Sequence, residues 1–215
     1  MAIGSYPAGM DEPCITIALL ATGDDEDAMR FALQDIEKSS PPGTVGHWYC
    51  EETTLQQEFH TKMKSYPADH RYCVDSTFLR NDADVVDVLR QAFTELPTRE
   101  SLVLWNTMVP RSRRPLPDMA LSLQSDHYFA MYGVCEPDGD YEACEVWVRR
   151  NMLEIGQHEV GAYLGEANPQ VRDSRIWSAE ARARLLDIRR ARDPQGRFSS
   201  FLKPRPTEFR PEMRS

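Results

Sequence analysis

The chain lacks the short motifs that would settle its chemistry at once. It contains neither GxGxxG nor GxxxxGK[ST], so there is no dinucleotide fingerprint and no P-loop. Its five cysteines, Cys14, Cys50, Cys73, Cys135 and Cys144, include no CxxC pair, and their number is odd. They read as reduced, buried thiols of a cytoplasmic protein. The histidines, His47, His60, His70, His127 and His158, show no HExxH and no paired-ligand spacing, so no metal is expected. Basic residues are scarce as well, 25 Lys and Arg against 34 Asp and Glu, a net charge of -9. Phosphate contact needs the opposite balance, which argues against nucleic-acid binding. The opening "MAIGSYPAGMDEP" has no basic region and no long apolar run, so no secretory signal is expected. The longest apolar stretch, residues 15–21, is too short to span a bilayer.

What is present is the composition of a globular chain. Hydrophobic residues make up 41% and charged residues 27% of 215, enough for one sizeable core. Strand-like and helix-like segments alternate. "CITIALLA", "TVGHWYCE", "HRYCVDSTFL", "SLVLWNTMV", "HYFAMYGVCE" and "EVGAYLGE" read as strands, with "MALSL" as a short edge strand. "DDEDAMRFALQDIEKS" places Met29, Ala32, Leu33 and Ile36 at helical spacing, and "TTLQQEFHTKMK" is a short helix capped by Thr53 or Thr54. "DADVVDVLRQAFTEL" is a helix that Asp82 can cap, with Val86, Leu89, Phe93 and Leu96 as its buried stripe. After "PDGD", Tyr141, Cys144, Val148, Met152 and Ile155 share a helical face, and Ser178 caps a last helix. The pattern predicts an α+β fold: a largely antiparallel sheet with helices packed on one face, leaving the other face to line a pocket. Residues 1–13 are expected to be flexible, 14–202 to form a single domain, and 203–215 to be a flexible tail.

Several residues invite a chemical role beside a plain structural one. His47, Cys50 and Glu51 are close in sequence, but a strand would send His47 and Cys50 to opposite faces. Ser125, Asp126 and His127 carry the letters of a catalytic triad, yet neighbours in sequence cannot take up its geometry, and local turn bonds are expected. Arg111, Arg113 and Arg114, in a proline-rich loop, read either as a solvated cluster or as an anion clamp. Trp105 lies in a strand beside polar Asn106 and Thr107, a break that can mark a pocket wall. Glu166 follows an apolar strand and reads either as a solvated strand-end carboxylate or as an acid or base with a raised pKa. Tyr128 and Tyr132 share strand parity and point to one face.

Residues 160–202, "VGAYLGEANPQVRDSRIWSAEARARLLDIRRARDPQGRFSSFL", carry a more specific pattern. They resemble the C-terminal end of berberine-bridge-enzyme-like FAD-linked oxidases, in which a Tyr-x-Asn strand leads to an aromatic residue and then to a helix ending in a DPxxxF stop. Tyr163 matches the strand tyrosine and Trp177 the aromatic; Arg184, Leu185, Ile188, Arg189, Asp193, Pro194 and Phe198 match the helix and stop. "YPADHRYCVDSTFLRNDADVVDVLRQAFTELP" and "ITIALLATGDDEDAMRFALQDIE" are similar to earlier strand–helix pairs of the family's substrate domain. The resemblance implies an oxidoreductase fold, FAD as cofactor, and flavin-side contacts at Tyr163 and at position 165. It also has departures. Gly165 stands where the family has asparagine, the family's "FPHR" has no counterpart, and the flavin-binding half finds no match in the chain. FAD is thus implied by the family but is not expected to be bound by this chain alone.

Three readings follow. The first is a stand-alone substrate-binding domain of a berberine-bridge-type FAD-linked oxidoreductase acting on a small organic molecule, with a separate flavin-domain chain as partner. Its expected catalytic residues are Glu166, Tyr163 and Tyr128; its expected substrate wall is Trp105, Thr107, Ser122, Gln124, Tyr132 and Arg111. The second is a cofactor-free enzyme or binding protein that directs cyclisation or isomerisation of a biosynthetic intermediate by orientation. The third is a structural homodimer that covers an exposed apolar face.

Overall fold

A computed structural model describes residues 1–109, 111–168 and 172–199. Six strands form one antiparallel sheet. In chain order they are β1 (Ala2–Ser5), β2 (Cys14–Ile17), β3 (Arg71–Leu79), β4 (Leu102–Thr107), β5 (His127–Cys135) and β6 (Glu159–Gly161). Their spatial order is β2-β1-β4-β5-β3-β6. Among the described residues the α-helices are α1 (Glu26–Lys38), α2 (Leu55–Lys64), α3 (Val85–Thr94), α4 (Tyr141–Ile155) and α5 (Ala179–Arg192). This is the α+β architecture expected from the sequence.

Strand alternation divides the central sheet into two unlike faces. Cys73, Leu79, Val103, Phe129 and Met131 point to one side. There they pack with Leu89, Ala92 and Phe93 of α3 and with Trp147, Val148, Met152 and Ile155 of α4. Phe129 and Met131 are fully buried there. The two helices are thus backed onto one face, as their apolar stripes require. Phe78, Leu102, Leu104, Tyr128, Ala130, Tyr132 and Val134 point to the other side, where Tyr66, Tyr72, Met108 and Val160 pack against them. By contrast α1, α2 and α5 bury none of their residues.

The structure corrects several expectations. The strand Ala2–Ser5 falls inside the segment expected to be flexible; it pairs on both sides, with β2 and with β4. "TVGHWYCE" forms no strand: it finds no partner, Trp48 is exposed, and Cys50 has a φ of 51°. "MALSL" is likewise irregular, and the strands at residues 14 and 159 are shorter than their apolar runs. Asp84, not Asp82, caps α3, accepting from the N–H groups of Val86 and Asp87 at 3.1 Å each. Val86 is exposed and Ala92 takes its place in the buried stripe. Thr54 is the α2 cap, in a reciprocal pair with Gln57. The expected tail, 203–215, lies outside the described residues, as do Phe201 and Leu202.

Candidate functional site

A cluster of two phenols and a carboxylate lies on the sheet face that α3 and α4 leave free. Tyr128 and Tyr132, four residues apart on β5, point out of that face, and both are only 8% exposed. Above them, Glu166 arrives from the segment that follows β6. Tyr128 donates its hydroxyl proton to Glu166 Oε2, and Tyr132 donates to Glu166 Oε1 at 2.7 Å. One carboxylate thus takes a phenol on each oxygen. Four more groups close around the pair. The Tyr66 ring meets Tyr132 edge-on with 5.4 Å between centroids. Phe78 stands 5.2 Å from Tyr128, and Tyr163 meets Tyr128 edge-on at 6.5 Å. Ser76 lies beneath, its hydroxyl 3.5 Å from the Tyr163 carbonyl.

The electrostatics follow from this packing. Burial raises the pKa of Tyr128 and of Tyr132 far above the ordinary tyrosine value, and the hydrogen bond to Glu166 raises each further. Both phenols are therefore neutral donors at any physiological pH. Burial raises Tyr66 too, although the neighbouring Tyr132 hydroxyl works the other way. The arrangement suits a proton acceptor: a carboxylate fixed by two neutral donors, in an aromatic surround, where a substrate donor can replace one phenol.

The residues singled out from the sequence divide by face. Tyr128, Tyr132, Tyr163, Gly165 and Glu166 come together. Trp105 and Thr107 do not join them. Register pairs Trp105 with Phe129 and Thr107 with His127, on the helix-packed side, and Trp105 packs against that core with His127 5.8 Å away. The structure thus does not bring these two to the phenols' face; the polar break in β4 does not reveal which side each residue takes. It is Asn106, paired with Tyr128, that shares the phenols' face. Ser122 and Gln124 serve the connection between β4 and β5. Ser122 Oγ accepts from the Ser178 N–H at 2.9 Å, and Gln124 donates to the Arg114 carbonyl at 2.8 Å. Arg111 begins a 3-10 turn, and the neighbouring Arg113 is spent on Asp126 at 2.6 Å. Ser125 makes one local turn bond, its hydroxyl accepting from the His127 N–H at 3.0 Å, and one long-range bond, donating to the Leu79 carbonyl of β3. Among the described residues no group of three or more His, Cys, Asp or Glu could hold a metal. Tyr66, Ser76 and Phe78 join the site without any sequence signal of their own. Their contacts with the phenols arise from pairing between distant segments, and no local motif marks them.

Two residues were expected to face a flavin. A Cβ added at Gly165 would lie 2.7 Å from Tyr163 Cε1, so the bare glycine backbone is what lets the Tyr163 ring fold over it. Tyr163 is 44% exposed and leaves a ring edge for a planar group. The pyrophosphate end of FAD is another matter. Anions bind at free N–H groups of helix starts. Among the described residues each α-helix start has a side-chain cap, Asp25, Thr54, Asp84, Asp140 or Ser178, that already takes one or two of those N–H groups. Three of these caps are carboxylates, which repel phosphate. These helix starts are therefore poor seats for a pyrophosphate.

An open cleft of about 370 Å³ lies elsewhere, between α5 and residues 117–120, lined among others by Met119, Ala120, Leu185 and Ile188. It holds none of the phenol–carboxylate chemistry. No helix among the described residues is long and apolar enough to cross a membrane.

No family model matches the chain, and no solved structure matches it. Curated proteins do. The chain is 35% identical over 162 residues to the FAD-linked oxidoreductase ptmO of Penicillium ochrochloron, a match covering 75% of this chain and 36% of that protein. It is 34% identical over 162 residues to the FAD-linked oxidoreductase penO of Penicillium crustosum, with the same coverage. It is 31% identical over 193 residues to the FAD-linked oxidoreductase nodO of Hypoxylon pulicicidum, covering 90% of this chain and 43% of that protein. The chain thus spans about two fifths of the length of the curated relatives it matches. Its similarity to part of these proteins supports the FAD-linked oxidoreductase family, which implies FAD as the cofactor.

Proposed function

We propose that this chain is the substrate-side domain of a berberine-bridge-type FAD-linked oxidoreductase acting on a small organic molecule, with Glu166 as proton acceptor. The observation that carries this reading is the carboxylate held between Tyr128 and Tyr132 on the helix-free face of the sheet. Proton removal from a bound substrate needs a base within hydrogen-bond reach and a site that orients the donor. Glu166 provides the base. The rings of Tyr66, Phe78 and Tyr163 provide walls that stack against an apolar or aromatic substrate. Tyr128 and Tyr132 keep the carboxylate aimed and follow its charge as the proton arrives. The relatives' names supply FAD, which would be reduced as the substrate is oxidised; in this reading its pyrophosphate is held by a flavin-binding unit that the described residues do not include.

The test is co-expression of the full chain with the part of nodO that lies outside the match. Joint purification with visible flavin absorption, and substrate turnover that Glu166→Gln lowers by at least tenfold, are expected. Absence of a complex and of flavin colour would overturn the oxidoreductase reading.

One observation favours a second reading. The phenol–carboxylate cluster is assembled from this chain's own described residues and can work as acid–base chemistry without a flavin, directing cyclisation or isomerisation of a bound molecule. Turnover by colourless purified chain, lost in Glu166→Gln, selects this reading over the first.

A further inference from the structure

Glu166 reaches the phenols from a segment that is neither helix nor strand. Such a segment keeps one conformation only where something fixes it. Two attachments do so, on opposite sides of β3. On the phenols' side, Ser76 Oγ donates to the Tyr163 carbonyl at 3.5 Å, and the Glu166 N–H donates to the same carbonyl at 3.1 Å. On the other side, Asp75 shares strand parity with Cys73 and Leu79, and its side chain is 4% exposed. The Arg172 guanidinium grips it through Nε to Oδ2 at 2.8 Å and Nη2 to Oδ1 at 3.2 Å. Arg172 also donates from Nη2 to the Ser76 carbonyl at 2.9 Å and from Nη1 to Glu159, whose Oε2 accepts from Thr77 at 3.3 Å. The Asn168 N–H points to Asp75 Oδ1 at 3.5 Å, and the Arg172 N–H donates to the Asn168 carbonyl at 3.0 Å. Burial opposes the charge on Arg172, but its bonds to Asp75 and Glu159 outweigh that and hold it protonated.

A planar guanidinium between two carboxylates has few ways to sit, so it fixes geometry more strictly than an apolar contact would. Replacement of such a buried pair by apolar groups often costs little stability; what it contributes here is place. We infer that Arg172 is a positioning residue, whose grip on Asp75 and Glu159 holds residues 162–168 against β3 so that the Glu166 carboxylate meets Tyr128 and Tyr132. The inference deepens the proposal that Glu166 is the proton acceptor and rests on it for its functional meaning.

Tyrosine ionisation in the full chain, followed by ultraviolet absorbance against pH, reads the placement directly. Tyr128 and Tyr132 face Glu166, with Tyr66, Tyr163 and Ser76 beside them, and are expected to ionise last; the Tyr128→Phe and Tyr132→Phe variants assign them. In Arg172→Ala both late phenols should ionise with at least tenfold weaker proton affinity, because Glu166 and its cover move away. Arg172→Lys keeps the charge but not the fork, and should move them in the same direction by less. Phe93→Leu, a core change packed against Gly4 of β1 three strands away from β3, should leave them where they are. Unmoved phenols in both Arg172 variants, with circular dichroism unchanged, would overturn the inference. If Arg172→Ala does not fold, Arg172→Lys decides alone; failure of that variant to fold also overturns it, since a role confined to placing Glu166 leaves the core intact. Turnover is read separately. Full activity in Glu166→Gln would end the proton-acceptor proposal while the ionisation result stands.

Discussion

The two phenols beneath Glu166 should make the protein unusually sensitive to alkali. Both are neutral in the folded chain to a pH well above the ordinary tyrosine value, through burial first and the bond to Glu166 second. In the unfolded chain they ionise near pH 10. A group whose folded pKa lies above its unfolded pKa contributes stability that is complete below the unfolded value and falls above it. At pH 11 each phenol ionised only in the unfolded state would cost about 1.4 kcal/mol, roughly 2.8 kcal/mol for two. Partial solvent screening at the exposed rims brings this to about 2 kcal/mol. The measurement is urea unfolding of the wild type and of the Tyr128→Phe/Tyr132→Phe double variant at pH 8 and pH 11. Other alkaline titrations, including Cys144, whose thiol burial pushes up to about 11, are common to both proteins and cancel in the difference. The wild type should lose about 2 kcal/mol more than the double variant between the two pH values. Equal losses would refute the argument, because they would mean that the phenols are not held neutral by this site.

Other outcomes follow from particular contacts. Gly161→Ala should destabilise by about 1–3 kcal/mol on thermal unfolding, since the added Cβ would overlap Leu123 Cδ1 and the Arg175 carbonyl oxygen, which accepts the Ala162 N–H. Asp84→Ala should cost about 1 kcal/mol by releasing two N–H groups of α3, whereas Asp82→Ala, which caps nothing, should cost less. Asp126 is held below the ordinary carboxylate pKa, first by its bond to Arg113 and then by Ser112. Its stabilising effect is therefore present above about pH 4 and lost on acidification, and Arg113→Ala should move the midpoint of acid unfolding to higher pH. Thiol labelling of the native chain should modify Cys14 and Cys50 quickly and leave Cys73, Cys135 and Cys144 unreacted until unfolding.

Much of this molecule is written in local pattern. Period-two alternation in "HYFAMYGVC" put Tyr128 and Tyr132 on one face, because successive strand residues cannot do otherwise. The 3.6-residue period put Cys144, Val148, Met152 and Ile155 of α4 into the core, and Ser178 marked the start of α5 through its capping oxygen. These follow from bonds between residues a few positions apart. The tertiary structure decided everything that depends on partners far away in sequence. Ala2–Ser5 became an interior strand because β2 and β4 flank it, while "TVGHWYCE" found no strand partner and stayed out of the sheet. Trp105 and Thr107 went to the helix side because register with β5 fixed the parity of β4. Glu166 met phenols 34 and 38 residues before it, and Arg172 met Asp75 across 97 residues. Periodicity assigns a side chain to a face but cannot say what that face will meet, since the meeting is set by strand pairing and chain crossing, which no local sequence encodes.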